Sequence, residues 1–478
     1  MLLSVLLFLP DKIFDPIENK IAEFVGRFYR HGFMTIFLGT ALLIVFFNQN
    51  LLYGDSNYVI KYIDAFPDLP SQAHNRLITV AIYRFFYVVT GDQWQGICIA
   101  HIIFGAIFLL FIRLAANHLF EDNTRRGFLF FGILFSGGFL LFTHAEFYAP
   151  AAVLASAFLY LSVLTRDNIR FFPLAFIVGS LAALFHPALF FLPFSLLAIP
   201  IHRYWGIKWV YILLPLFLIV IGVSIAAGAI MDIRAIQKAL LPLSDPSYLL
   251  SGYHWLHLLN YIIYAGPLLF LIFYQGDRRY RIMAIIPLLV MPFLDFNFGG
   301  GDWDIAAMIL LPVIFFALAS GKRQFVILTV MGLVLYIPIF ASGVSTDIAY
   351  ERAEQIWLHQ HVPYLEERFP GELRLLFLAR EDYILSGDPE VMGFGEKYSV
   401  MSIRKLPEND RPYLYMADMY RSSGQAEKAI EVLLLGYTKA RLKDRIYNNL
   451  ASLYQESGKS VATLDYLLRK LGEKNRGT

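Results

Sequence analysis

The stretch QGICIAHIIFGAIFLLFIRLAA, residues 95–116, decides the fold class of this chain. Arg113 is its one formally charged side chain. A helix of about 20 mostly apolar residues is long enough to cross the hydrocarbon core of a bilayer. The stretch therefore predicts a transmembrane helix.

The composition of the whole chain agrees with this interpretation. Of its 478 residues 57% are hydrophobic and 16% are charged, and the mean hydropathy is +0.55. Soluble domains contain about 25% charged residues, so this chain is too apolar for that class and for a disordered one. A net charge of +2 without a basic stripe argues against a nucleic-acid partner, and the single cysteine, Cys98, excludes an intramolecular disulfide.

Similar apolar runs recur along the first 344 residues. About eleven transmembrane helices are predicted, at 34–53, 95–116, 127–143, 148–164, 171–185, 187–201, 207–229, 255–274, 281–298, 304–320 and 324–342. A cytoplasmic amphipathic segment, 1–33, precedes the membrane domain, 34–344, and an external helical domain, 345–478, follows it. The fold class is therefore all-α and polytopic.

The basic residues predict the orientation, because Lys and Arg of short loops stay on the cytoplasmic side. They fall in alternate loops, at 125–126, 166–170, 203–208, 278–281 and 322–323, and the turns at 144–147, 185–187 and 297–302 have none. The N-terminus is then cytoplasmic and the C-terminal domain external. Residues 76–90 are apolar but short and contain Arg84, so we interpret them as an interfacial or re-entrant helix in a first external loop, 54–93.

The C-terminal domain contains an internal repeat. Ala417, Tyr420, Gly424, Ala429 and Leu433 recur 34 residues later as Ala451, Tyr454, Gly458, Thr463 and Leu467. A period of 34 is that of tetratricopeptide helix pairs. Residues of about 411–471 therefore resemble a short tetratricopeptide array, a fold that usually binds a protein partner, and 372–387 is a candidate for a degenerate earlier unit.

The unusual polar residues share the external face, where ionisable groups at the ends of spans are functional candidates. They are Asp55, His144, Glu146, His186, Asp302 and Asp304, accompanied by the aromatic residues Tyr58, Tyr148 and Trp303. A carboxylate at the membrane surface, such as Asp55, can act as a general base on a hydroxyl, and helix capping is its alternative role. The FGGGDWD loop, 298–304, offers backbone access, two aspartates and a ring that can stack on a sugar.

An acidic residue after the first span, a following tyrosine, an amphipathic stretch and a basic turn before a second interfacial helix resemble the first external loop of C-fold glycosyltransferases. That superfamily includes protein O-mannosyltransferases and bacterial lipid A aminoarabinose transferases, and it uses polyprenyl-phosphate sugars. The resemblance covers 34–342 and implies that Asp55 is the catalytic base and that His74 and Arg76 contact the donor phosphate.

The remaining roles come from the residues themselves, and each has an ordinary structural alternative. His186, Asp302, Trp303 and Asp304 are predicted to bind the donor phosphate or sugar, against a turn histidine and helix caps. Glu146, Tyr148 and Tyr58 are predicted to contact the acceptor or a metal, and Glu146 has a pairing with His144 as its alternative. Arg76 has snorkelling to lipid head groups as its alternative.

A metal is an open question in this sequence. Ser56 follows Asp55 where a second acid is common in the resembled superfamily, so a divalent ion would need oxygen ligands from Glu146 or Asp302. No cofactor is certain.

The sequence thus predicts a glycosyltransferase that moves a sugar from a polyprenyl-phosphate donor to a hydroxyl on a lipid, glycan or protein, by an inverting mechanism. A polysaccharide ligase or polymerase and a multi-span transporter or flippase are the alternatives. The absence of any Asn-x-Ser/Thr site favours a bacterial inner membrane.

Overall fold

The computed structural model describes residues 11–46, 56–68, 76–134, 142, 147–186, 189–196, 249–252, 254–256, 258–259, 278–293, 303–320, 345–359 and 370–474. These residues are mostly helical and include no strand. The all-α prediction is therefore confirmed for this part of the chain. The described residues form two compact units, the first among residues up to 320 and the second from 345 onward.

The first unit contains eleven described α-helices. They are α1 (Asp11–Arg30), α2 (Gly32–Phe46), α3 (Ser56–Ala65), α4 (Leu77–Thr90), α5 (Gln93–Leu119), α6 (Asn123–Leu134), α7 (Ala149–Asp167), α8 (Phe172–Phe185), α9 (Leu192–Ser195), α10 (Arg278–Val290) and α11 (Trp303–Ser320). Two 3₁₀ turns, Ile169–Phe171 and Met291–Phe293, precede α8 and follow α10. By length and composition, α5 and α7 are the two described helices that could cross a membrane.

The directions of α5, α7 and α8 follow from contacts at their ends. A ring nitrogen of His118, at the end of α5, lies 2.8 Å from a carboxylate oxygen of Asp167, at the end of α7. At the opposite end, the rings of Tyr148, before α7, and His186, after α8, are 4.6 Å apart. Hence α5 and α7 run in the same direction, and α8 runs antiparallel to α7.

The helix α11 lies against α6 and α7 with a defined direction. Phe316, near its C-terminus, stacks on Tyr280 at 5.9 Å, and the Arg166 guanidinium lies 5.6 Å from the Tyr280 ring. Since Arg166 is at the Asp167 end of α7, α11 begins at the end of the bundle where Tyr148 and His186 lie. We call this the Tyr148 end.

The N-terminal helix α1 packs closely on α6. A Cβ atom on Gly127 would lie 2.5 Å from Val25, so glycine permits this approach of the two helices. Arg113 connects the same region to α5, because its guanidinium donates to the Tyr29 carbonyl at 3.2 Å and to Thr35 Oγ1 at 2.9 Å. The predicted amphipathic segment is therefore a helix with extensive packing in the first unit.

Three helices of the first unit expose long stripes of large aliphatic side chains, each 36% to 64% exposed. The stripes consist of Ile99, Ile103, Ile107 and Leu110 on α5, Leu174, Ile177 and Leu181 on α8, and Ile282, Ile285 and Leu289 on α10. Their spacing of three or four residues places each stripe on one helix face. Continuous apolar surface of this kind is rare on water-soluble monomers.

The second unit consists of seven described helices. They are α12 (Thr346–His359), α13 (Gly371–Ser386), α14 (Pro389–Lys405), α15 (Arg411–Ser422), α16 (Ala426–Lys439), α17 (Asp444–Glu456) and α18 (Val461–Lys474). Gly387, Gly424 and Gly458 follow α13, α15 and α17, with φ of 66°, 75° and 69°. This left-handed conformation favours glycine. Three helical hairpins result, and the first contains the candidate early unit, 372–387.

The two repeats differ by one residue after their glycine turn. The sequence alignment pairs the buried residues Ala429 and Leu433 with Thr463 and Leu467. In the structure the buried residues of α18 are instead Leu464 and Leu468, which are 0% and 6% exposed. The helix α18 begins 35 residues after α16, whereas Gly458 follows Gly424 by 34, so the second turn is one residue longer.

Candidate functional site

Arg76 is the first predicted site residue that the structure connects to others. It immediately precedes α4. Its guanidinium carbon lies 4.2 Å from the centre of the Phe147 ring, which is 4% exposed. An Arg on an aromatic face gains a cation–π attraction while its N–H donors stay directed along the plane of the guanidinium. Snorkelling to lipid is therefore not needed to explain this arginine.

Tyr148 and His186 form the second contact of the site. Tyr148 is 7% exposed and begins α7, with its carbonyl accepting a hydrogen bond from Ala152 N–H at 2.9 Å. The His186 ring meets it edge-to-face at 81°. The backbone fixes His186 as well, because its N–H donates to Ala182 O and its carbonyl accepts from Leu189 N–H. The start of α7 and the end of α8 thus hold the two rings together.

The electrostatics of His186 link the two contacts. Burial, and secondly the positive charge of Arg76, lower the pKa of the His186 imidazole to about 3. At neutral pH the imidazole is therefore uncharged, with one nitrogen donating and one accepting. Its Nδ1 atom is buried and has no hydrogen-bond partner among the described residues. That atom is available to a bound molecule.

Two tyrosine rings of α3 extend the site. The Tyr62 ring lies 5.9 Å from Phe147 and 6.0 Å from Tyr58, which is 38% exposed. On the adjacent face of α3, Val59 and Ile63 are fully buried. The buried aliphatic side chains anchor α3 to the unit, and the two tyrosines remain at the site. This division of the helix surface explains the amphipathic pattern of the sequence.

Two contacts hold α3 against the hairpin of α4 and α5. The Arg84 guanidinium donates to the Ile63 carbonyl at 3.3 Å, and the Gln93 amide donates to the carboxylate of Asp64. At the crossing of α4 and α5, Gly96 leaves no room for a side chain, since a Cβ would lie 2.7 Å from Tyr87 N. Arg84 is thus a structural residue within the loop predicted to be the first external one, 54–93.

The structure brings together four predicted site residues, namely Tyr58, Arg76, Tyr148 and His186. Asp55, His74, Glu146 and Asp302 lie outside the described residues, and so do the side chains of Trp303 and Asp304. The backbone of Trp303 and Asp304 forms the first turn of α11, which begins at the Tyr148 end.

One residue of the site, Phe147, was not predicted to contribute, whereas Tyr62 was expected beside Tyr58 on the Asp55 side of the amphipathic stretch. Phe147 contacts both Arg76 and Tyr62, so it connects the segment 56–76 to the turn before α7. Its only signal in the sequence is its position between two predicted residues, Glu146 and Tyr148. An apolar ring in an apolar chain carries no information about its partner.

The metal prediction is untested by this geometry. Within the described ranges no group of three or more His, Cys, Asp or Glu side chains could hold a metal ion. The two predicted ligands, Glu146 and Asp302, are not among those residues.

The chemistry of the described site suits an anion that carries a polar, ring-shaped group. A guanidinium offers paired donors to phosphate oxygens, and an uncharged imidazole adds one donor or acceptor. The neighbouring tyrosine and phenylalanine rings provide flat surfaces for the apolar faces of a sugar. Comparisons with protein-family models, curated proteins and solved structures found no match for this chain.

Proposed function

We propose that this protein is an integral membrane glycosyltransferase that moves a sugar from a polyprenyl-phosphate donor to a hydroxyl acceptor by an inverting mechanism. The reaction occurs on the external face of a membrane. The single observation that carries the proposal is the cluster of Arg76, Phe147, Tyr148 and His186, which joins three separate turns at one end of the helix bundle.

The exposed stripes of α5, α8 and α10 support the membrane part of this proposal. Such surfaces are stable in lipid and unfavourable in water. The direction of the helices supports the predicted orientation. Residues 125–126 and 166–170, with their arginines, lie at the end opposite to His186. By the positive-inside rule the cluster is then external, the N-terminus is cytoplasmic, and a bacterial inner membrane is the proposed location.

The proposed reaction has a defined electron and proton balance. The Asp55 carboxylate removes the proton of the acceptor hydroxyl, and the oxygen attacks the anomeric carbon from the face opposite to the phosphate. The bond from that carbon to the phosphate oxygen breaks, and polyprenyl phosphate leaves with the electron pair. Configuration at the anomeric carbon is inverted. Asp55 directly precedes Ser56, the first residue of α3, in the sequence.

Arg76 and His186 serve the leaving group in this proposal. The guanidinium binds the phosphate by charge and paired N–H donors, and the neutral imidazole donates or accepts one further hydrogen bond. The predicted residues His74, Asp302, Trp303 and Asp304 complete the donor site. Tyr58, Tyr148 and Glu146 border the acceptor, and a divalent ion on Glu146 and Asp302 remains an open part of the proposal.

The second unit is proposed to be a tetratricopeptide-like array that binds a protein partner. Its three hairpins, with glycine in the same left-handed conformation at each turn, support this interpretation.

The proposal is tested by measuring the release of free polyprenyl phosphate from a panel of polyprenyl-phosphate sugars. Asp55→Asn should lower turnover at least 100-fold, about the contribution of a general base, while donor binding persists. Asp68→Asn is the matched control, because Asp68 is an exposed carboxylate of the same external loop.

Arg76 gives a separate test of the donor site. We expect Arg76→Gln to weaken donor binding about 10- to 100-fold, since a charge-assisted contact to phosphate is lost. The control is Arg170→Gln, which removes an exposed arginine at the end of the bundle opposite to His186. If no donor binds to the wild type, the glycosyltransferase is wrong and a ligase, transporter or scaffold takes its place. If Asp55→Asn remains fully active, the enzyme stands and the base is wrong.

A further inference from the structure

An open cavity of about 700 Å³ lies in the second unit, far along the chain from the site described above. One wall is residues 405–411, the turn from α14 to α15, and the other comes from residues 441–445, before and at the start of α17. The backbone N–H of Arg441 donates to the carbonyl of Glu408 at 2.8 Å, which fixes the two turns to each other. A cavity of this size accommodates a few residues of an extended peptide.

The two turns that form the cavity are basic. Residues 404–411 and 439–445 contain seven Lys or Arg and three Asp or Glu. Two of the cations have carboxylate partners within the tail. Arg445 pairs with Asp410, and Lys405 pairs with Glu372, both at 2.9 Å. The turns therefore retain a surplus of positive charge after these internal pairs are formed.

Arg441 is the centre of that surplus. It is exposed, and among the described residues its guanidinium makes neither a hydrogen bond nor an ion pair. The neighbouring residue Asp410 is 5% exposed, and its carboxylate pairs with Arg445. A guanidinium in this setting is ready to bind a carboxylate or phosphate.

An exposed leucine adjoins the arginine. Leu442 is 63% exposed, and Leu406 and Pro407 line the cavity beside it. Apolar side chains next to cations fit a ligand that carries both negative charge and an apolar group. A free phosphate or a lipid head group would use the arginines alone, whereas a peptide with acidic and aliphatic residues would use both features.

We propose that this cavity binds an acidic peptide segment of a partner protein, with a carboxylate on Arg441 and an aliphatic side chain on Leu442. The site is at the ends of the helical hairpins, in the turns that join one hairpin to the next. The proposal does not depend on the reaction of the first unit. It names the chemistry of the partner that the tail recognises.

The test measures fluorescence polarisation of a fluorescein-labelled peptide with the full-length protein in uncharged detergent. The peptide has about ten residues, Asp and Glu throughout with two central leucines. We expect saturable binding that weakens as salt is raised. Arg441→Glu should weaken it at least tenfold, because attraction becomes repulsion. Lys428→Glu is the matched control, since Lys428 is an exposed cation of α16 outside the cavity, and its affinity should stay within twofold of wild type.

Two further measurements test the apolar half of the site. Leu442→Ser, and replacement of the leucines of the peptide by serine, should each weaken binding about threefold or more. Inorganic tripolyphosphate and vesicles of anionic phospholipid are the competing probes. The proposal is overturned if the wild type does not bind the peptide, or if Arg441→Glu and Lys428→Glu weaken binding equally. It is also overturned if either phosphate probe displaces the labelled peptide at a lower concentration of negative charge than the unlabelled peptide does. Because Arg441 is exposed, Arg441→Glu is not expected to unfold the tail. An unchanged circular dichroism spectrum of the variant shows that a loss of peptide binding is not caused by misfolding.

Discussion

The two units of this protein are both helical, but the side chains on their outer surfaces differ. In the first unit, α5, α8 and α10 expose continuous aliphatic stripes. In the second unit, exposed large apolar residues such as Leu435 are scattered, and ion pairs such as Arg421 with Glu456 occupy the surface between them. A continuous apolar outer face is typical of helices that meet lipid, and a mixed and charged outer face is typical of helices that meet water, so the difference teaches that the outer face of a helix carries information that its helical class does not.

Both units use glycine in the same two ways. Glycine permits close approach of helices, in the first unit at Gly96, where the neighbouring backbone of α4 would clash with a Cβ, and in the second at Gly436, where a Cβ would lie 2.7 Å from Tyr413. Glycine also ends helices at positive φ, in the first unit at Gly91, with φ of 75°, and in the second at Gly458, with φ of 69°. The two units therefore differ in their outer surfaces and not in their use of glycine.

The largest expected effect is on the exposed stripes. Ile103→Asp introduces a charge on the outer face of α5 and should cost about 3–4 kcal/mol if that face meets lipid. Leu435→Asp, at a similarly exposed position of α16, should change stability by about 0.5 kcal/mol or less. The measurement is the fraction of membrane-inserted, monodisperse protein for each variant. Equal yields for the two would remove the distinction between the units.

The next effect concerns arginine in the two regions. Arg113→Ala removes hydrogen bonds to the Tyr29 carbonyl and Thr35, and the free energy of unfolding should fall by about 2–3 kcal/mol. Arg421→Ala removes an exposed ion pair with Glu456 and should cost about 0.5 kcal/mol or less. Thermal loss of monodispersity in detergent tests the first variant, and urea unfolding of the tail tests the second. A large cost for Arg421→Ala would contradict the comparison.

A pH effect of intermediate size is expected in the tail. Burial raises the pKa of Asp382 from 3.8 to about 6, although Tyr350 donates a hydrogen bond to it. Between pH values of about 4 and about 6 this carboxyl group is ionised in the unfolded chain but still protonated in the folded tail. The free energy of unfolding of the tail therefore falls as pH rises through this range. Asp382→Asn abolishes that loss and keeps an acceptor for Tyr350. At pH 7.5 the variant should be more stable by about 2 kcal/mol, and at pH 4 it should match the wild type.

The urea midpoint for loss of helical circular dichroism, measured at both pH values, reports this change. The exposed residue Asp444 provides the control, because Asp444→Asn should shift the midpoint equally little at the two pH values. A gain for Asp382→Asn that is the same at pH 4 and pH 7.5 would show that ionisation is not its cause.

The smallest expected effect separates two glycines of the tail. Gly458→Ala places a side chain at positive φ and should destabilise the tail by about 1 kcal/mol. Gly393, inside α14, also has nothing within 4 Å but has no positive φ, so Gly393→Ala should stabilise by up to about 1 kcal/mol. Opposite shifts of the urea midpoint are expected. Shifts of the same sign would mean that the turn conformation is not what Gly458 supplies.

Much of the local structure could be predicted from the sequence. The helical content, the helix at 77–90 and the glycine turns of the tail follow from hydrophobic periodicity and from the φ that glycine allows. The register of the second repeat could not be predicted, because one additional residue after Gly458 moves the buried positions to Leu464 and Leu468. Self-similarity in sequence does not detect a turn that is longer by one residue.

The site was predictable in part. Tyr148 and His186 were identified by their polarity at the ends of apolar segments, which local sequence reveals, and Arg76 was identified by the resemblance of the first loop to that of C-fold glycosyltransferases. Phe147 was not, because its role depends on a contact with Arg76, 71 residues earlier in the chain, that no local pattern records.

The sequence by itself determined the helical class, the change from an apolar to a charged composition near residue 345 and the concentration of polar candidates in alternate turns. These properties depend on amino-acid type and spacing, which act over a few residues. Only the tertiary structure decided that α5 and α7 run in the same direction, that His186 lies beside Tyr148, and that Arg76 lies on the Phe147 ring and close enough to His186 for its charge to act on the imidazole. Such pairings depend on how helices pack, and packing is selected by shape and volume across the whole unit.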